Sequence, residues 1–128
     1  MTTIKEAIAF WQRKAKRWIV TTFSQPNFDS RPERHRRFLE EAGELCQAGG
    51  MSEEEAIASI RFVYSRPAGH VPQEIGGTMH TFLALVENHG LNAWECFLEE
   101  IGRVHQPEVV EKCRAKWLEK QKIGQSIS

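Results

Sequence analysis

The sequence predicts an all-α fold, an antiparallel bundle of four to six helices joined by short loops. Three observations lead there. Apolar residues recur every three or four positions in one segment after another, capping residues precede those segments while Gly or Pro follows them, and no stretch alternates with the period of two that a strand needs. With 128 residues, 41% of them hydrophobic, the chain is long enough to close a core. Residues 1–128 therefore read as one domain, with an N-terminal helix over 3–20, a core over 31–120 and a tail over 121–128 that is expected to fray.

The elements follow in order. Ile4, Ala7, Ile8, Trp11, Ala15 and Trp18 form the stripe of an amphipathic first helix, with Arg13, Lys14, Lys16 and Arg17 largely away from it. Pro26, Asn27, Asp29 and Ser30 read as a turn-rich connection. "SRPE", Ser30 to Glu33, has capping-box spacing and opens a second helix from Arg31 to Ala48, which Gly49-Gly50 ends. Ser52 with Glu55 opens a third, which carries Ala56, Ile57, Ile60 and Val63 and closes before Pro67. "RPAGHVP" is a loop, and Pro72 suits the first turn of a fourth helix with Ile75, Met79, Phe82, Leu83 and Val86 on one side. Asn92 with Glu95 starts a fifth, and Pro107 restarts the chain into a last segment carrying Val109, Val110, Cys113 and Trp117.

Charge and composition exclude several functions. Seventeen basic and seventeen acidic side chains cancel, so the molecule as a whole has no long-range pull toward nucleic acid or an anionic membrane. "RPERHRR" is a local basic cluster without a base-reading motif, so nucleic acid is not an expected partner. No segment approaches the roughly 18 apolar residues of a membrane span. Cys46, Cys96 and Cys113 are odd in number and widely spaced, which fits reduced thiols filling the core of a cytoplasmic protein. The five histidines show no H-x-x-x-H spacing, which argues against zinc.

The informative stretch is "RFLEEAGELCQAGG", Arg37 to Gly50. At roughly 100° per residue, Phe38, Leu39, Ala42, Leu45, Cys46 and Ala48 share one arc, Glu41 falls inside it, Glu44 lies on its border and Glu40 points away. Glu41 and Glu44 are one turn apart, so their carboxylates overhang one shoulder and can share a cation. A carboxylate buried in an apolar stripe needs an arginine, a lysine or a divalent ion to compensate it. Glu74 occupies a similar shoulder at the start of the fourth helix, beside Thr78, Thr81 and Leu85. Two or three such carboxylates suit magnesium, which takes oxygen ligands and leaves positions to water and phosphates. The alternative is a solvated polar shoulder or a structural ion pair.

"HRRFLEEAGEL", "RPAGHVPQEIGG" and "VEKCRAK" together resemble the MazG-like superfamily of all-α nucleoside triphosphate pyrophosphohydrolases, which includes the dimeric dUTPases. The resemblance spans about residues 30 to 116 and is closest to a small subgroup found in bacteria and phages. It implies cleavage of a nucleoside triphosphate between the α- and β-phosphates, giving a monophosphate and pyrophosphate, with magnesium, or manganese in its place. Glu41 and Glu44 match the family's first metal-ligand pair, with one of them orienting the attacking water; Glu74 matches the first acidic position of the second element, and the neighbouring Glu40 can assist. Gly77 stands where the family usually has aspartate, so Glu95, Glu99 or Glu100 is a candidate for the missing ligand. Arg34, Arg37, Arg103, Lys112, Arg114 and Lys116 are the supply of phosphate-binding cations, with Arg37, Arg103, Lys112 and Lys116 the chosen candidates. Trp11, Trp18, Phe38 or Phe82 can stack a base. The resemblance also implies a homodimer or a dimer of dimers. The alternative function is a non-catalytic module of the same fold that binds a nucleotide or a protein and has lost turnover through Gly77.

Overall fold

The computed structural model describes residues 1–123, and every regular element among them is helical. There are seven: α1 (Ile4–Thr22), α2 (Gln25–Asp29), α3 (Arg31–Ala48), α4 (Glu53–Tyr64), α5 (Val71–Asn88), α6 (Ala93–Val104) and α7 (Pro107–Lys122). The all-α class is as expected, and seven replaces four to six because α2 forms where a turn was expected. Ser24 is extended and its hydroxyl accepts from the Asn27 amide at 3.1 Å, while Pro26 sits in the first turn. The residues that looked like a turn are thus a cap and a proline-started single turn of helix. Of the tail expected to fray, 121–128, α7 takes in residues through Lys122, and 124–128 lie outside the described residues.

The other boundaries follow the local chemistry of the chain. Thr3 and Glu6 form a reciprocal capping box at α1. The Ser52 hydroxyl accepts from Glu55 N at 3.2 Å and Asn92 Oδ1 from Glu95 N at 3.0 Å, each satisfying one amide that its helix leaves open. Gly50 at φ 97° and Gly90 at φ 69° take the left-handed conformation after α3 and α5. Past them, Met51 N reaches Cys46 O at 3.0 Å and Leu91 N reaches Val86 O at 3.2 Å, the six-to-one bond that closes a helix C-terminus.

The chain divides into two compact units: Met1–Leu45 with Pro107 onward, and Cys46–Gln106. The first is organised around the end of α1. Trp18 meets Phe23 edge-on at 5.9 Å between ring centroids, and Phe23 meets Trp117 of α7 at 5.7 Å. Arg114 of α7 donates through Nε to the carbonyl of Thr22 at 2.7 Å, satisfying an acceptor that the end of α1 leaves open. In the second unit α4, α5 and α6 carry no buried residue at all.

Among the described residues no apolar side chain is fully buried, so the expected apolar core is not seen within either unit. Among the described residues, the buried positions are Thr22, Asn27, Ser30 and Glu33, all polar and all at the junction of α1, α2 and α3. The cysteines are free, with Cys46 and Cys113 half-buried and Cys96 exposed, which corrects the reading of Cys96 as a core filler. Glu33 does more than the expected capping. Its backbone amide donates to the Ser30 hydroxyl at 3.3 Å, but its carboxylate, at 1% exposure, pairs with Arg36 at 3.6 Å and Arg37 at 3.2 Å. Removing one partner of a buried pair leaves the other charge uncompensated. Arg37→Met is therefore expected to destabilise the protein by about 2–3 kcal/mol in urea unfolding, and Glu33→Leu added to it to restore most of the loss. An Arg37→Met protein as stable as the parent would show that Arg36 alone compensates Glu33.

Candidate functional site

The acidic shoulder of α3 belongs to the first unit. Glu40 sits half-buried and is taken at both oxygens: Arg37 Nη1 donates to Oε2 at 2.8 Å, and Lys120 Nζ, from α7, donates to Oε1 at 2.6 Å. Glu33, Arg37, Glu40 and Lys120 thus form one continuous line of alternating charge from α3 to α7. Glu41 and Glu44, in contrast, are both exposed. The apolar arc around them is open as well, with Phe38 57% and Leu39 54% exposed. This corrects the expectation that Glu41 is buried: the stripe it interrupts has no element of its own unit over it. Angular position on a helix dictates direction, and burial depends on what stands opposite.

The second unit holds the other acidic candidates. Glu74 is in the first turn of α5, exposed, and its side chain folds back over Gly69 so closely that a Cβ at position 69 would collide with its carboxylate. Thr78 turns inward along the same helix, its hydroxyl donating to the Glu74 carbonyl at 2.7 Å. Among the described residues nothing lies within 4 Å of where a Cβ would stand on Gly76 or Gly77, so packing within their own unit does not demand the two glycines. On α6, Glu100 accepts two hydrogen bonds from Arg103, Nε to Oε1 at 2.7 Å and Nη2 to Oε2 at 2.8 Å. That fork holds the Glu100 carboxyl below the usual carboxylate range, against a smaller opposing contribution from partial burial.

Most of the expected phosphate-binding cations are already committed. Arg34 donates through Nη2 to Asn27 Oδ1 at 2.7 Å, and burial lowers its pKa, with Glu33 pulling the other way. Arg37 serves Glu33 and Glu40, Arg103 serves Glu100, and Arg114 serves the Thr22 carbonyl and, at 2.9 Å, Glu111. Lys112 and Lys116 differ. Both are exposed on α7 and line one shallow depression together with Leu118, Lys122 and the acidic Glu119. Of the base-stacking candidates, Trp18 is used in the aromatic cluster, whereas Phe38 and Phe82, at 57% and 43%, offer open faces.

No known family, curated protein or solved structure matches this chain. The site therefore rests on its residues. Among the described residues no three His, Cys, Asp or Glu side chains converge closely enough to hold a metal ion together. The oxygen donors of Glu41 and Glu44, exposed and one turn apart on a rigid helix, fit a hard cation that keeps several waters.

Sequence reasoning missed the roles of Glu33 and Lys120, although Glu33, Arg36 and Arg37 stand at the i, i+3 and i, i+4 spacing of helical ion pairs. Two outcomes follow for this region. Arg103→Gln should raise the Glu100 titration midpoint toward that of an ordinary glutamate, read by carboxyl carbon NMR. Because the folded-state pKa is depressed, the stabilisation from this pair is present above the unfolded pKa and fades as pH falls through the folded value, so the variant should lose that acid-side slope. Gly69→Ala should change stability by less than about 0.5 kcal/mol, since the atom in the way ends a flexible side chain, yet shift the Glu74 carboxyl resonance as the carboxylate swings off the loop.

Proposed function

We propose that this chain is a metal-dependent nucleotide pyrophosphohydrolase of the MazG-like kind, cleaving a nucleoside triphosphate to a monophosphate and pyrophosphate. One observation carries the reading. Of the three carboxylates Glu40, Glu41 and Glu44 on α3, Glu40 is neutralised by Arg37 and Lys120, whereas Glu41 and Glu44 are presented to solvent on the same shoulder. Two exposed carboxylates one turn apart offer the kind of oxygen donors that magnesium takes. The ordered blocks of sequence around Glu41, Glu74 and Arg114 support the same assignment.

A bound magnesium ion would neutralise charge on the phosphate oxygens and on the departing pyrophosphate. The residues do the rest. Glu41 and Glu44 hold oxygen donors in place, and one of them accepts a proton from the attacking water. The water oxygen bonds to the α-phosphorus, the bond from that phosphorus to the bridging oxygen breaks, and pyrophosphate departs with the electron pair. Lys112 and Lys116 are the preferred phosphate partners because Arg37 and Arg103 would each have to leave a carboxylate to serve. The resemblance assigns a further acidic position to Glu74 of α5, which belongs to the other compact unit, and on α6 Glu100 is already held by Arg103.

A second reading has its own support. Gly77 contributes no side-chain ligand, which favours a non-catalytic module of the same fold that binds a nucleotide or a protein partner. The two separate in one experiment. Pyrophosphate release is measured over a panel of canonical and modified nucleoside triphosphates with magnesium or manganese, in the parent, Glu41→Gln and Gly77→Asp proteins. The hydrolase reading expects metal-dependent release that Glu41→Gln lowers by about 100-fold or more, the scale of losing a positioned acid-base group. Gly77→Asp has open space for its carboxylate and is expected to fold and to bind the ion more tightly. Folded parent protein that releases no pyrophosphate while Gly77→Asp does would establish the second reading.

A further inference from the structure

Two cations hold Glu40, and they hold it with unequal firmness. Arg37 donates to Oε2 at 2.8 Å, and the same guanidinium is fixed on its other side by Glu33, whose side chain is 1% exposed. Moving Arg37 would strip a buried carboxylate of a partner. Lys120 reaches Oε1 at 2.6 Å from α7, in a pair whose side chains are 23% and 34% exposed. Ion pairs that water still reaches contribute little and part readily. Lys120 also stands in the last turn of α7, where open carbonyls favour an ammonium that has let go of its carboxylate. Of the two oxygens of Glu40, Oε1 is therefore the one that can be freed.

Its place on the helix gives that oxygen a use. At roughly 100° per residue Glu44 lies about 40° from Glu40 and about 60° from Glu41, on the arc between them. Glu40 and Glu44 stand at i, i+4 and Glu41 and Glu44 at i, i+3, so Glu44 has a carboxylate neighbour on either side. Lys120 thus brings a compact, strongly hydrated positive charge to one end of a row of three carboxylates. A hard divalent ion takes the same kind of oxygen. An ammonium and a divalent ion on neighbouring carboxylates repel each other, so the row favours one or the other.

We propose that Lys120 is a built-in competitor of the divalent ion at α3. Its ammonium holds Glu40 Oε1 until Glu41 and Glu44 take up an ion, and then leaves, freeing Oε1 as a third oxygen donor while Arg37 stays on Oε2. Ion uptake and the Lys120 link from α7 to α3 exclude each other, so the concentration of the ion sets whether this link is made. The exchange rests on reading Glu41 and Glu44 as a cation site, and its failure is separable from the failure of that reading.

Manganese binding to the full chain, followed by the electron spin resonance of the free ion, tests the exchange without any turnover. Lys120→Met keeps most of the aliphatic stem and removes the ammonium. Its dissociation constant for manganese should be roughly fivefold to tenfold lower than the parent's, the scale of lifting one partly exposed ion pair and one like charge from the site. Lys122→Met changes the net charge equally two positions on and should alter the constant by less than about twofold. Equal constants for the parent and Lys120→Met would overturn the exchange and leave the α3 site in place. An equal fall in both variants would make the effect one of net charge and overturn it as well. No binding by any of the three proteins at about 10 mM, above the range in which weak carboxylate sites take divalent ions, would remove the site, the hydrolase reading and the exchange together. The parent protein alone gives a second readout where a variant fails to fold. As magnesium is added, the Glu40 carboxyl carbon and the Lys120 Cε resonances should move with one midpoint; a Lys120 resonance that stays fixed while the Glu44 carboxyl responds overturns the proposal.

Discussion

A carboxylate taken out of water must be met by positive charge, and much of the first unit follows from the way Glu33 meets that demand. Its carboxylate is closed off at the α1–α2–α3 junction and draws in Arg36 and Arg37 from the next turn of its own helix. Arg37 then reaches Glu40, and Glu40, held from one side, takes Lys120 from α7 on the other. The last link spans eighty positions in sequence. A local ion pair, which at a surface would be worth under about 1 kcal/mol, here starts from a buried anchor and continues into a link from α3 to α7.

The same line of charge fixes which groups are already engaged. Arg37 cannot serve a phosphate without abandoning Glu33, and Glu40 cannot bind a cation through both oxygens without displacing a lysine and an arginine. The carboxylates that α3 presents to solvent beyond it are Glu41 and Glu44. On α7, Lys112 and Lys116 stand exposed, flexible point charges without a preset fork. One short stretch of α3 thus carries both enclosed and solvent-facing carboxylates, divided by which turn faces inward.

The boundaries of the helices were legible because they are written in short-range chemistry. Ser52, Asn92, Gly50, Gly90, Pro67 and Pro107 each act within a few residues, and each ends or begins a helix where its type requires. α2 was not legible, since Ser, Pro, Asn and Asp serve a turn and a capped single turn of helix equally well. The partners of Glu33, Glu40 and Arg114 were illegible for a different reason. Periodicity fixes the direction of a side chain and says nothing of what stands opposite, so the neighbours of Glu41 point it to the interior while Glu33, on a more polar turn, is the one enclosed. The Arg114 guanidinium on the Thr22 carbonyl joins positions ninety-two apart, beyond any local pattern.

Gly77 can now be weighed by space as well as by chemistry. A glycine inside a helix is costly, and it is normally explained by a neighbour too close for a side chain or by a backbone angle that other residues resist. Neither holds among the described residues: position 77 is in regular helix, and the volume where its side chain would stand is open. The two glycines also face different ways: at roughly 100° per residue Gly76 borders the apolar stripe of Ile75, Met79, Phe82 and Leu83, whereas Gly77 lies on the opposite side of α5, next to the shoulder that carries Glu74. The open space at position 77 therefore bears on the surroundings of Glu74 and not on the apolar stripe.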